Sequence, residues 1–167
     1  EHCPLTAIRM VELAVDAGFP PGVVNMVLGD ASTVELLCDH NLVEGLTFVG
    51  SSNVAELVYH RVTGNSKRCQ AQGGAKNHLL VTDTAVLDRS IPNISSSLFG
   101  SAGQRCFAGS NLLVYRSIYE EFVDRLLGEA KALKVGRGTE EGVTMGPVIS
   151  ARALAHFEVA INAASEM

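Results

Sequence analysis

The stretch Leu46-Thr47-Phe48-Val49-Gly50-Ser51-Ser52 runs directly into residues 54–62, which carry Leu57, Val58 and Tyr59, and its reading decides the fold. Four mostly apolar residues that end on a glycine read as a short buried strand, and the segment after the two serines reads as a helix. Working outward in the N-terminal direction, Pro4 suits a first helical position, and Leu5, Ile8, Val11 and Val15 follow at helical spacing until Gly18-Phe19-Pro20-Pro21 ends the pattern. Residues 23–28, Val-Val-Asn-Met-Val-Leu, read as a buried parallel strand, and residues 32–39 as a short helix. In the C-terminal direction, residues 67–72 and 77–81 read as strands separated by Gly73-Gly74-Ala75, where a domain boundary is expected. Residues 87–99 read as a helix and residues 111–115 as a strand. Ser117 with Glu120 reads as a capping box before a helix whose apolar face is Ile118, Phe122, Leu126, Leu127, Ala130 and Leu133. Residues 136–147 form a glycine-rich loop, and a last helix begins near Ser150.

Strands that alternate with helices predict an α/β fold built on a parallel sheet with helices on both faces. Such sheets take ligands at the carboxyl ends of their strands. The end of the strand at Gly50-Ser51 is therefore a candidate phosphate site, with the amides of the following helix as donors. A serine in that place is more often just a helix N-cap, and the GxGxxG fingerprint is missing.

The chain has 167 residues, a hydrophobic content of 47% and a formal net charge of −5, which predicts a globular protein with a sizeable core. The scattered Lys and Arg form no basic stripe, so nucleic acid is not an expected partner. No apolar run reaches the roughly 18 residues of a membrane span, and the first residues do not pattern as a signal peptide. Cys3, Cys38, Cys69 and Cys106 are dispersed, with no CxxC pair and no histidine at metal-ligand spacing, which points to a reducing compartment and to no metal. The start at Glu1 without Met and the close inside a helix suggest a piece of a longer chain.

Gly100-Ser101-Ala102-Gly103-Gln104-Arg105-Cys106 places a thiol on a small-residue loop beside a cation. A thiol attacks carbonyls as thiolate, and neighbouring positive charge or helix-end amides raise that fraction. A single cysteine also reads as a small buried hydrophobe. Arg105 either pairs with a surface carboxylate or binds the carboxylate of a substrate through a bidentate contact. Lys76 and His78 stand at a strand entry where a structural duty is expected. His2, His40, His60 and His156 show no partner in the sequence, and Asn25 is expected to set backbone geometry.

Taken together, Pro21-Gly22-Val23-Val24-Asn25, Phe48-Val49-Gly50-Ser51, Gly73-Gly74-Ala75-Lys76-Asn77-His78, Gly103-Gln104-Arg105-Cys106 and Gly146-Pro147 resemble, in order and spacing, the aldehyde dehydrogenase superfamily. GGAKNH and GSAGQRC make the CoA-acylating methylmalonate-semialdehyde dehydrogenases the nearest subgroup. The resemblance implies that residues 1–74 belong to a Rossmann-like NAD-binding domain, of which they form the second half. Residues 75–167 would then be the first half of a catalytic domain, both in a chain about three times as long. It further implies that Cys106 attacks an aldehyde to give a thiohemiacetal, that hydride passes to NAD, and that a thioester remains on the enzyme. Glu1 would hold a cofactor ribose, Ser51 would face the pyrophosphate, Gly50 would permit its close approach, and Gly73 would line the nicotinamide end.

Members that hydrolyse their thioester carry a glutamate before a Leu-Gly-Gly run, as general base for water. Ala71 stands there in this chain, which favours CoA as acyl acceptor over water, with a hydrolysing enzyme as the alternative. Arg105 would then select a small semialdehyde such as malonate or methylmalonate semialdehyde. The subgroup implies valine catabolism, a cytoplasmic or mitochondrial-matrix setting, and a homo-oligomer, dimer or tetramer. The oxyanion asparagine of the family would lie upstream of Glu1, so residues 1–167 alone are expected to be inactive, with an inactive fragment or interaction module that exposes a strand edge and apolar surface as a further alternative.

Overall fold

The computed structural model describes residues 2–166. The chain divides between Gly74 and Ala75 into two compact units. The first contains α1 (Leu5–Asp16), α2 (Ala31–Asp39), β1 (Gly45–Val49), α3 (Ser52–Gly64) and β2 (Arg68–Gln72). The second contains β3 (Asn77–Val81), α4 (Leu87–Phe99), β4 (Gly109–Val114), α5 (Tyr119–Ala132) and α6 (Ala151–Ser165).

Each unit is built on a strand, a crossover helix and a parallel strand. β1 pairs with β2 from Gly45 opposite Arg68 to Val49 opposite Gln72. β3 pairs with β4, but the register slips after its first residue, since Asn77 faces Gly109 whereas His78 faces Asn111. The expected parallel α/β class is present, and the predicted bounds of β3 and α4 agree with the observed ones. The described strands form two two-stranded sheets, one in each unit.

Alternation decides which strand faces are covered. In β1, Leu46 and Phe48 pack with Cys69 of β2 on Cys38 of α2 and Val58 and Val62 of α3. In the second unit Val81, Leu87, Ile91 and Phe122 form the centre, with Leu112, Val114, Ile118, Val123 and Leu126 around it. Each unit thus buries a core of its own. Burial of Phe122 and Val62 to 1% and 0% exposure anchors the two cores and removes their apolar surface from water.

Side chains close several helix ends. Asp30 Oδ1 accepts from Ser32 N at 2.9 Å and starts α2. Its last carbonyls are met from the following segments: Lys67 Nζ donates to Cys38 O and His40 O, and Asn65 Nδ2 donates to Cys38 O. Arg61 of α3 grips Asp39 through two hydrogen bonds and reaches Glu35 at 2.9 Å, which ties α3 to α2. Ser150 Oγ accepts from Ala153 N and starts α6, as the sequence predicts.

Four expectations are corrected. Residues 23–28 form no strand: Val27 and Leu28 are exposed, and Val23 N donates to Pro20 O within a turn. A strand needs a neighbour to complete its ladder, and no described segment supplies one. Pro4 is the N-cap of α1 rather than its first residue, and none of the helix's apolar stripe is buried among the described residues. The Ser117 and Glu120 capping box does not form, because Arg116–Ile118 is a 3-10 turn that feeds α5 with Ile118 as N-cap. The histidines are not all without partners, since His60 lies 3.9 Å from Glu56 and His40 Nδ1 accepts from Leu42 N. Asn25 does set local geometry, donating to Gly22 O at 2.8 Å.

Candidate active site

Two regions carry the residues singled out in the sequence, one in each unit. In the first unit, β1 ends at Val49, the ladder continues as Gly50 N donates to Gln72 O at 3.1 Å, and α3 begins at Ser52. Ser51 is the N-cap residue in extended conformation, exposed, with a side chain that makes no capping hydrogen bond. Ser51 and the first amides of a 13-residue helix thus stand at the end of the strand, an arrangement with a partial positive charge suited to anions.

The two glycines of this region sit against protein atoms. A Cβ on Gly50 would lie 2.6 Å from the Phe48 ring, and one on Gly73 would lie 3.0 Å from both Cα and Oγ of Ser52. Ser52 Oγ also accepts from Gly74 N at 3.0 Å, so Ser52 links the β2 exit to the start of α3. The structure thus brings Gly50, Ser51 and Gly73 together around a residue that sequence reasoning had assigned only to a turn. Glu1 lies outside the described residues.

In the second unit, α4 leads into a left-handed turn. Ser101, Ala102 and Gly103 take φ of 55°, 54° and 71° in succession. For the two L-residues that conformation costs about 1–2 kcal/mol each. Such strain persists only where surrounding contacts over-determine it. Those contacts are visible: Gln104 N and Nε2 both donate to Ser101 O at 3.0 Å, and Gln104 Oε1 accepts from Ile149 N at 2.9 Å. Gly109 N donates to Ser97 Oγ at 3.2 Å, anchoring the far side of the loop to α4.

Cys106 occupies the second position of a β-turn closed by Ala108 N donating to Arg105 O at 3.1 Å. Cys106 is exposed, which removes the buried-hydrophobe reading for this cysteine, whereas Cys38 is buried and Cys69 partly so. Burial pushes the Cys38 thiol up from its ordinary value, leaving it protonated and inert at neutral pH. Among the described residues, the backbone N–H of Cys106 has no protein acceptor. An exposed thiol with a free amide on the same residue can form a bond to a carbonyl carbon and stabilise the oxygen that becomes negative.

Arg105 folds back over Gly100, where a Cβ would meet its guanidinium at 2.6 Å, and its Nε donates to Ser101 Oγ at 3.3 Å. The pairing with a surface carboxylate does not occur among the described residues, and both terminal nitrogens lack a protein acceptor. His78 is exposed on β3, and Lys76 is exposed just before it. Ala71 is half-buried on β2, on the side facing away from exposed Gln72.

Sequence reasoning missed Asn77 and Gln104 as loop anchors. Asn77 Nδ2 donates to Cys106 O at 2.8 Å and to Ala108 O at 2.9 Å. Both residues stood inside noted motifs, but nothing local in the sequence signals partners 29 and 45 positions away.

Comparison with known proteins covers nearly the whole chain. A family model described as the Aldehyde dehydrogenase family matches residues 1–167. A malonate-semialdehyde dehydrogenase of Bacillus anthracis is 47% identical over 149 residues, covering 89% of this chain and 31% of that protein. The methylmalonate-semialdehyde dehydrogenase of Oceanimonas doudoroffii superposes with a TM-score of 0.88 at 35% identity, over 98% of this chain and 34% of that one. The betaine aldehyde dehydrogenase of Staphylococcus aureus, solved in complex with NAD+, gives 0.83 at 31% identity over 95% of this chain and 32% of that one. The chain therefore spans about a third of the length of the relatives it matches.

Proposed function

This chain belongs to the aldehyde dehydrogenase family, and on that premise we propose that the whole protein oxidises a small semialdehyde of the malonate or methylmalonate type and passes the acyl group to CoA. The observation that carries the reading is the exposed Cys106 thiol beside its own unpartnered amide. As thiolate, Cys106 Sγ forms a bond to the aldehyde carbon while the carbonyl electron pair moves to oxygen, where the Cys106 N–H donates to it. Collapse of this thiohemiacetal expels hydride and leaves a thioester on Sγ. A nicotinamide dinucleotide, when bound, supplies the hydride acceptor. Attack by the CoA thiolate on the thioester carbon then returns Cys106 as thiolate.

The residues of the first unit fit that cofactor's diphosphate. Ser51 and the first amides of α3 stand at the end of a parallel strand, and Gly50 and Gly73 present no side chain. Residues 1–74 are accordingly the cofactor-binding part and residues 75–167 the part with the nucleophile, and Glu1 is assigned to the cofactor ribose. Transfer to CoA rather than to water is supported by the two residues before Gly73-Gly74. Neither Ala71 nor Gln72 has an ionisable group that could serve as base for water.

Arg105 is assigned to the substrate carboxylate because its terminal nitrogens lack protein acceptors. Replacing it by leucine should raise KM for malonate semialdehyde far more than for propanal; equal effects refute the assignment. A homo-oligomer, dimer or tetramer, in the cytoplasm, or else in the mitochondrial matrix, completes the proposal. Residues 1–167 alone should give no turnover. The deciding experiment follows NADH in the full-length protein with and without CoA. A burst of about one equivalent without CoA and steady turnover with it are expected, whereas steady turnover without CoA identifies a hydrolysing enzyme.

A further inference from the structure

We propose that Asn77 is a positioning residue for the Cys106 nucleophile, acting through the two carbonyls that its amide holds; the proposal rests on the assignment of Cys106 above. The two peptide planes that meet at Cys106 are fixed separately. The plane before it, which contains the Cys106 N–H, is held where Arg105 O accepts from Ala108 N at 3.1 Å. The plane after it is held where Cys106 O accepts from Asn77 Nδ2 at 2.8 Å. The same nitrogen donates to Ala108 O at 2.9 Å, so one side chain binds the second and fourth residues of the turn. With φ and ψ of Cys106 both restrained, the free groups on this residue are the N–H and Sγ, the two that the addition step uses.

The sheet register supplies the reach. Asn77 opens β3 opposite Gly109, and the slip between Asn77 and His78 leaves Ser110 without a counterpart. A bulge re-aims the neighbouring side chain, and here the Asn77 amide lies against the turn rather than along the ladder. Two carbonyl oxygens demand a donor. A carboxylate of the same shape would present only acceptors to them, so Asn77→Asp removes the function while preserving volume.

The test uses the full-length protein with Asn77→Asp and Asn77→Ala, compared with Leu126→Ala, a packing change at the edge of the same core that controls for loss of stability. The readouts are the rate constant of the NADH burst, the KM for NAD, and hydrogen exchange at the Ala108 and Gly109 amides. Loss of two hydrogen bonds predicts a burst slowed about tenfold to hundredfold, with KM for NAD within about twofold of wild type, since positioning acts on the transition state and not on cofactor binding. Exchange at Ala108 should rise about tenfold or more, and neither effect should occur in Leu126→Ala. Asn77→Ala, which removes the donors without adding charge, carries the comparison if the aspartate variant does not fold. A burst no slower than that of Leu126→Ala, or unchanged exchange at Ala108, overturns the proposal. If the wild-type protein gives no Cys106-dependent burst, the dehydrogenase reading itself fails, and the exchange measurement still decides the clamp.

Discussion

The turn at Gly50-Ser51 and the loop around Cys106 are built by opposite means. The first is a joint between a strand and its following helix, completed by a backbone hydrogen bond from Gly50 to Gln72, a single side-chain bond in which Ser52 Oγ accepts from Gly74 N, and packing against Phe48. The second contains three successive left-handed residues and is held by side chains of Asn77, Ser97 and Gln104, with Gln104 reaching Ile149. A helix terminus needs little help to present amides to an anion. A nucleophile must be aimed, and aiming a flexible turn takes contacts from several directions. The difference predicts that substitutions in the two regions should separate binding from chemistry.

The largest expected effect is that of Cys106→Ser in the full-length protein. The NADH burst should vanish while NAD affinity, measured by titration calorimetry, stays within about twofold, since Sγ contributes to bond formation and not to a phosphate site. Ser51→Ala should do the reverse. Loss of one hydrogen bond to a charged group, worth about 1.5–3 kcal/mol, should weaken NAD binding roughly tenfold to hundredfold with the saturated burst rate preserved. Loss of the burst in Ser51→Ala, or of NAD binding in Cys106→Ser, breaks the comparison.

Smaller effects test the backbone of each region. Gly103 combines a φ of 71° with an Ala102 already left-handed, and a Cβ there would lie 3.2 Å from Leu98 O. Gly103→Ala should therefore destabilise the protein by about 1–2 kcal/mol, seen as a lower urea midpoint with an unchanged m-value. The smallest effect is expected at Asp39. Hydrogen bonds from Arg61 hold its carboxyl below the ordinary carboxylate value, against the opposing effect of burial. A depressed folded value means the contribution is present above the unfolded value of about 3.9 and is lost as pH falls through the folded one. Asp39→Asn should thus lower Tm modestly at pH 7 and converge on wild type as pH falls through the depressed folded value. A gap that persists or widens in acid refutes that origin.

What could be read in advance followed from how local each feature is. β3 and α4 were legible because an apolar pattern at a period of 2 or 3.6 is written in the element's own residues. Residues 23–28 carry the same kind of pattern yet remain unpaired, because a ladder is completed by another segment. The Ser117 capping box failed for a related reason: a 3-10 turn at Arg116–Ile118 displaced the helix start and made Ile118 the cap. Of the candidate site residues, Cys106, Arg105 and Ser51 were visible as residue types in motifs. The roles of Ser52, Asn77 and Gln104 were not, since each acts through partners distant in sequence.

Composition and pattern alone determined a parallel α/β chain, the Gly73-Gly74-Ala75 break at which the two compact units meet in sequence, and a cysteine on a small-residue loop. Those properties depend on side-chain chemistry and local periodicity, which any stretch of sequence displays. Tertiary structure alone decided that the strands form two sheets, that Arg105 leaves its terminal nitrogens free, and that Asn77 holds the turn at Cys106. Hydrogen bonds between residues 29 and 45 positions apart exist only after the loops between them have closed, and the entropy of that closure is met by the packed core and the ladder.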